Sequence, residues 1–440
     1  MNKLDKQETN ITYDPDYFYN LGMQTIQALE VPGGVLASSA EEIYGCIFGR
    51  DSLISALKLL KSHDYESNPY YLYLTRKILE GLLELQGKEI NIESGEEPGK
   101  CIHEFRATAH ERLTKTGTPP WYMYSDGTMR NFDSIDSTPL LLIALYRYFQ
   151  KSSDTDFIKE KEKNINLALD WILNFGDKNG DGFIDYEKHP ERKAGGLDVQ
   201  SWMDSAESVF HEDDIAVVFP ISPVEAQAYS YLALKLWSKY FSEHTKKRAE
   251  ILSQKAKHLK QEFNKRFVFG QPEYPIFAHA IDNNGKALVS KRSSIGHILW
   301  ACLNEKDDGK KDCILDKQFI EPLIKNILQP DIFEPTAGIR TLSKESRVFD
   351  PISYHNGSIW PHDNSLIAEG MQNFGFKKEA HLVRHAIFSA YTHFQTPIEL
   401  FAFHEGNYLE YKSQSGQIAC REQAWSAASM IADALALKHE

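Results

Sequence analysis

Apolar residues recur at three- and four-residue spacing from one end of the chain to the other, the period at which one face of an α-helix is buried. Twelve stretches carry the pattern: 16–30, 51–62, 70–86, 136–152, 157–174, 222–241, 245–267, 293–303, 316–328, 363–373, 376–392 and 422–438. Asp156 and Ser222 stand where N-caps belong, and Gly176 follows the apolar run Trp171-Ile172-Leu173-Asn174-Phe175. Between the helices lie long segments, 87–133, 176–221, 268–292 and 329–362, rich in Gly, Pro, Asp, Asn and aromatics. Loops this long in a compact domain are usually functional. No repeat and no linker-like shift interrupts the series. The pattern therefore predicts an all-α fold of six helical hairpins closed into a double ring, a single 1–440 domain whose loops build a cavity at one end. Residues 1–14 are expected to form a flexible N-terminal segment. A plain helical bundle or solenoid is the alternative; the chemically dense loops spaced around the whole chain argue against it.

Composition narrows the partners. With 42% hydrophobic and 25% charged residues the chain is an ordinary globular one. A net charge of -13 argues against nucleic acid, whose phosphates reward basic patches. The five cysteines are scattered without C-x-x-C spacing, so a disulfide framework or zinc site is not expected. Met1 to Thr12 is polar and lacks the apolar core of a secretory signal, and no apolar run reaches membrane-spanning length. The expected location is the cytoplasm. Oligomeric state is not legible.

The densest chemistry is Tyr354-His355-Asn356-Gly357-Ser358-Ile359-Trp360-Pro361-His362-Asp363-Asn364. Sugar hydroxyls both donate and accept, so amides, carboxylates and imidazoles beside an indole face suit a carbohydrate; a polar loop leading into a helix is the plainer reading. Arg50-Asp51, at the start of a helix, are either a cap and its surface partner or a pair gripping two hydroxyls. His103-Glu104-Phe105-Arg106 could be a surface strand or could point charges into a cleft. Trp121-Tyr122-Met123-Tyr124 reads as core or as a stacking platform. One of Asp133 and Asp136 is expected to cap the helix that follows. In Gln200-Ser201-Trp202-Met203-Asp204, an Asp beside an indole is placed to have its pKa raised by desolvation, as a general acid requires. Thr396-Pro397-Ile398-Glu399-Leu400-Phe401 sets a lone carboxylate in an apolar stretch, which is costly without a role. For either carboxylate a buried ion pair is the bland alternative. Asp177 to Asp185 imitates the start of a calcium loop, but Lys188 occupies the position of the bidentate Glu. A tight polar turn is the better reading, with a structural calcium as the weaker one. Nucleotide-binding, nucleophile-elbow and H-E-x-x-H patterns are missing, and paired carboxylates are how most glycosidases work.

In order, these segments resemble the amylo-α-1,6-glucosidase domain of glycogen debranching enzymes and, more broadly, glucoamylase-like glycosidases with an (α/α)6 barrel. The resemblance runs from about Gly33 to Ser429. Ile47 to Ser52 is similar to an aromatic-x-Arg-Asp-Ser signature, Pro98 to Arg106 to Pro-Gly-Lys-x-x-His-Glu-x-Arg, and Asp133 to Leu140 to the family's passage into a helix. Trp202-Met203-Asp204, Pro223 to Gln227, Gly338 to Ser343, Pro397-Ile398-Glu399-Leu400 and Cys420 to Ser426 follow in family order. Two departures stand out: the glucanotransferase domains of eukaryotic debranching enzymes and a preceding β-rich domain are lacking, so maltotriosyl transfer is not expected. Thr396 and Ile398 also flank Pro397 where the family often has Arg-Leu before Pro-Glu.

The resemblance implies an inverting exo-acting hydrolase of terminal α-linked glucose on an oligosaccharide or polysaccharide, with no required cofactor. Asp204 would be the acid and Glu399 the base. Arg50, Asp51 and His362 or Asp363 would hold hydroxyls, Trp121, Trp202 and Trp360 would stack around the ring, and His103, Glu104, Arg106, Asp136, His355, Asn356 and Trp425 complete the expected site. Asp363, Glu207 and Glu405 are reserve carboxylates. Glucoamylase, trehalase or glucosylglycerate and mannosylglycerate hydrolase-like activities are the nearest alternatives, and a non-catalytic glycan-binding protein is the rival from another class.

Overall fold

A computed structural model describes residues 13–304, 311–414 and 416–439 of the protein. Most of the expected flexible segment, residues 1–12, lies outside the described residues; Asp14, within it, caps the first helix by accepting the Asp16 amide at 2.9 Å. The frame is built from α1 Pro15–Ala28, α2 Gly49–Ser62, α3 Pro69–Glu84, α4 Ser137–Ser152, α5 Glu162–Asn174, α6 Val224–Ser242, α7 Lys246–Arg266, α8 His297–Trp300, α9 Ile320–Ile327, α10 Pro361–Asn373, α11 Lys377–Phe394 and α12 Ala424–Lys438. Alternate helices close a ring: α2 packs on α4, α4 on α6, α6 on α8, α8 on α10, α10 on α12, and α12 back on α2. Around it, α1 lies on α12, α3 on α2, α5 on α4, α7 on α6 and α11 on α10. This is the expected (α/α)6 double ring.

Sequence decides which helix goes where. Every residue of α2 except Lys61 is buried, and α12 is buried from Ala424 to Ala436, as a helix covered on all sides must be. By contrast, α7 buries only Ala249, Leu252, Ala256, Leu259 and Phe263, a single stripe at helical spacing. Each large member of that stripe contributes roughly 1.5–3 kcal/mol by leaving water. One apolar core runs from Phe18 to Leu435. Among the described residues no helix is long and apolar enough to cross a membrane.

Several expected boundaries move for physical reasons. The stretch 157–174 breaks at Lys161 into a short helix, Thr155–Glu160, and α5. Its cap is Asp154 rather than Asp156, because only the residue three before Phe157 can reach that amide, here at 3.1 Å. Ser222 is no cap either: Ser222–Pro223 pairs with Ala280–Ile281 as a short strand, so α6 begins at Val224. The stretches 293–303 and 316–328 each begin as a 3-10 turn, Ser293–Gly296 and Lys317–Phe319, before α8 and α9.

Short antiparallel strands brace the mouth of the ring. Glu104–Arg106 lies between Ile47–Phe48 and Met129–Asn131, in register Phe48 with Glu104 and Glu104 with Asn131. Gly49 lets this sheet approach α2: a Cβ there would stand 2.0 Å from the Ile102 carbonyl oxygen. No other residue fits without moving strand or helix.

Candidate active site

Alternation of inner and outer helices makes the inner six parallel, so their N-termini gather at one end. There the sequence places its polar residues: Arg50 and Asp51 in the first turn of α2, Asp136 just before α4, Glu225 in α6, His297 in α8, His362 and Asp363 in α10, and Trp425 in α12. A cavity of about 190 Å³ opens at this end. Of the expected site residues, Arg50, Asp51, His103, Glu104, Arg106, Trp121, Trp202, Asp204, His355, Trp360, Glu399 and Trp425 line it. Asp136, Asn356, His362 and Asp363 do not, and each has other work.

Asp136 is the buried partner of Arg50. Arg50 Nε and Nη2 donate to its two carboxylate oxygens at 2.7 and 3.1 Å, and it makes no helix-capping bond. Arg50 Nη2 also donates to the Ser201 carbonyl at 2.8 Å, and Nη1 donates to Asp204 at 3.1 Å. A guanidinium has five N–H donors, so one remains to meet a ligand. Arg50 thus anchors Asp204 more than it offers itself to the cavity. Burial raises the Asp204 carboxyl to about 6; the Arg50 charge pulls down against it, and Asp136 pushes up. Asp51 is no cap. It accepts from Gln423 Nε2 at 2.8 Å, and burial lifts it to about 7.

Glu399 faces the same cavity from the loop between α11 and the strand Phe401–His404. The Tyr354 hydroxyl donates to Oε1 at 2.5 Å and the Cys420 amide to Oε2 at 2.8 Å. Burial raises its carboxyl to about 7, with both hydrogen bonds opposing.

The segment 354–364 touches both carboxylate neighbourhoods. Tyr354 holds Glu399, while His355 Nδ1 accepts the Ser205 amide, next to Asp204, at 3.3 Å. Its rings form a box with Trp202: Trp360 and His362 stand edge-on to the Trp202 indole at 5.4 and 5.0 Å, and His362 stacks on Trp425 at 3.7 Å. Burial keeps His103, His355 and His362 well below the ordinary imidazole range, so all three are neutral at pH 7. Asn356 lies behind the wall, accepting from Arg292 at 2.7 Å and donating to the Glu207 carbonyl at 3.0 Å. Asp363 is neither a cap nor a cavity residue; it pairs with His297 at 2.7 Å beneath the indoles.

Glu104 and Arg106 share one face of their strand and point inward, paired with each other, while Phe105 takes the half-buried face. The surface-strand reading is thereby excluded. Trp121 lines the cavity and is only partly buried, whereas Met123 beside it is 46% exposed. Glu405 sits exposed at a hairpin tip, and Glu207 lies outside the cavity. In the 177–185 loop the carboxylates turn onto backbone amides: Asp177 accepts from Gly182 at 2.9 Å, Asp181 from Phe183 at 3.1 Å and Asp185 from Lys178 at 3.0 Å, as a tight turn does. Tyr44, Phe48, Arg112, Tyr354 and Gln423 also line the cavity and were not singled out by sequence reasoning. Tyr354 belongs to the segment whose residue types pointed at sugar and Gln423 to one similar to the family's closing run; Tyr44 carries no such signal.

A buried carboxylate, Glu399, and a half-buried one, Asp204, facing one small cavity at the loop end of a double helical ring, define a glycoside hydrolase of the (α/α)6 class. The chain belongs to the amylo-alpha-1,6-glucosidase family, whose model matches residues 105–432. It is similar in fold to the GH63 mannosylglycerate hydrolase from Thermus thermophilus in complex with Tris, with TM-score 0.65 and 12% identity over 94% of this chain and 99% of that one. The same hydrolase in complex with glucose gives TM-score 0.63 at 13% identity, again over 94% and 99% of the two chains. A rhamnosidase from Klebsiella oxytoca with rhamnose bound gives TM-score 0.57 at 12% identity, over 96% of this chain and 64% of that one. Comparison with curated protein sequences finds no match.

Proposed function

We propose that the protein is an inverting, exo-acting α-glucosidase that removes terminal α-linked glucose, its substrate being the α-1,6-linked stub of glycogen-like dextrins. One observation carries this reading: Asp204 and Glu399 both face a cavity of about 190 Å³. That is below the roughly 300–1,000 Å³ of pockets for drug-sized ligands, and it suits one sugar ring at a chain end. Asp204 protonates the glycosidic oxygen as the bond breaks, and Glu399 takes a proton from the water that attacks the anomeric carbon from the opposite face. Neutral His355, the indoles of Trp202, Trp360 and Trp425, and Asp51 offer the mixture of apolar faces and hydrogen-bonding groups that a glucose ring presents in return. The chemistry needs side chains alone, so chelators are expected to leave turnover unchanged.

A second reading, another (α/α)6 glycosidase acting on a small glycoside, draws support from the nearly full-length likeness to a mannosylglycerate hydrolase. Product analysis on a limit dextrin, maltose, trehalose and glucosylglycerate separates the two. Fastest glucose release from the limit dextrin is expected; preference for any of the small substrates would overturn the branch-stub assignment.

A further inference from the structure

We propose that Tyr354, backed by Tyr44, is the positioning residue of the base: its hydroxyl favours the ionised form of the Glu399 carboxylate and orients it to take a proton from water. This rests on reading Glu399 as that base. The terminal torsion of a glutamate is broad, so a lone carboxylate would turn freely about its last bond. Here the Tyr354 hydroxyl at 2.5 Å and the Cys420 amide at 2.8 Å seize different oxygens, which fixes both tilt and rotation. A carboxylate offers about four lone-pair sites. Two go to these donors and the Cys420 side chain takes another, so one is left for the cavity.

Tyr354 is itself held. Its ring meets Trp360 edge-on at 4.9 Å and His355 at 4.7 Å, and tilts against Tyr411 at 5.1 Å. Its hydroxyl stands 3.2 Å from that of Tyr44, which accepts from Gln417 Nε2 at 2.9 Å. Since a phenol has one proton, the Tyr354 proton goes to ionised Glu399 and the Tyr44 proton is free to bond Tyr354, a relay that strengthens the first bond. Tyr44, Tyr411 and Cys420 surround Glu399 together with Asp51 of α2, and Asp204 stands on the same cavity. Tyr354 and Cys420 favour the charged form, while burial and the Asp51 charge oppose it. Tyr354 stays protonated, because burial and Glu399 push its own ionisation well above the ordinary phenol value.

Replacing Tyr by Phe keeps the ring and removes only the donor, so a packing role and a positioning role give different results. For Y354F we expect kcat to fall about ten- to hundredfold, the cost of one hydrogen bond to a charged group, with KM changed by no more than about twofold. The pH optimum should move upward, since losing the donor raises Glu399. The loss should persist on α-glucosyl fluoride, whose leaving group needs no acid but whose hydrolysis still needs the base. Y44F should shift kcat and optimum the same way by less, and it carries the test should Y354F fail to fold. Wild-type kcat and optimum in both variants, or a loss confined to KM, would overturn the proposal. Near-normal turnover by E399Q would instead remove the base assignment on which it rests.

Discussion

Arg50 reaches Asp204 across 3.1 Å with one arm of its guanidinium while the other arm is locked on Asp136 at 2.7 and 3.1 Å. The proposed acid is therefore tuned by an ion pair of which Arg50 lines the cavity and Asp136 does not. Burial raises Asp204, Arg50 lowers it and the Asp136 charge raises it again. Neutralising Asp136 removes an upward push and leaves Arg50 to act on Asp204 alone. D136N is thus expected to lower the Asp204 pKa and move the activity optimum to lower pH. It should also cost about 3–5 kcal/mol of stability, as breaking a buried pair does. A pH profile and a thermal melt check both; an optimum that stays or moves upward would contradict the tuning.

The pH dependence of the native enzyme follows from two neighbouring values, about 6 for Asp204 and about 7 for Glu399. On the proposed roles turnover needs the first protonated and the second ionised, so the active fraction peaks at their mean, about pH 6.5, at ~6% of the enzyme. The expected profile of kcat/KM is a narrow bell falling on both sides. On α-glucosyl fluoride, where no acid is needed, the alkaline fall should vanish and leave a single rise through about 7, the value of Glu399. A bell on the fluoride would refute the division of labour.

Removing the acid should show the same division. D204N is expected to lose roughly 10²–10⁴ in kcat on natural substrates, to keep glucose binding by calorimetry and to recover most of its rate on the fluoride. Near-normal hydrolysis of dextrin by D204N would sink its assignment.

Stability should carry the signature of the site as well. Asp51, Asp204, Glu225 and Glu399 have folded-state values raised to about 7, 6, 7 and 7, each with burial as the largest cause. A carboxyl raised on folding binds its proton more tightly in the native state. It therefore costs nothing below the unfolded value, and stability is lost as pH rises from about 4 to about 7. E399Q, which cannot ionise, should melt higher than wild type at pH 8, with the gap closing near pH 4. Equal melting temperatures at pH 8 would mean that the site stores no such strain.

Much of the frame was legible because period and burial coincide. Residues 51–62 and 136–152 became α2 Gly49–Ser62 and α4 Ser137–Ser152 within two residues. The strands escaped because two to four residues are too few to show a period; Glu104–Arg106 exists only through its partners across the sheet. At the site, residue type and family order singled out Asp204 and Glu399, and both line the cavity. Which carboxylate faces the cavity depends on packing: Asp363 looked as chemical as Asp204 in sequence, yet a histidine from α8 claims it. Tyr44 was invisible, since a tyrosine in a loop becomes meaningful only once Tyr354 stands 3.2 Å away.

Gly49 tests whether the sheet sets the position of Arg50 and Asp51. Because a Cβ would lie 2.0 Å from the Ile102 carbonyl, G49A must push α2 from the strand. Activity should fall with little change in the pH optimum and with a lower melting temperature. Wild-type activity and melting would show that the contact is slack.

The central claim is that Glu399 delivers water to the face of glucose opposite the bond that Asp204 helps to break. Following the anomer of released glucose by NMR during the first minutes of hydrolysis of a branched dextrin tests it directly. The account predicts β-glucose first, mutarotating afterwards to the equilibrium mixture. Initial release of α-glucose, or no release at all, would contradict it.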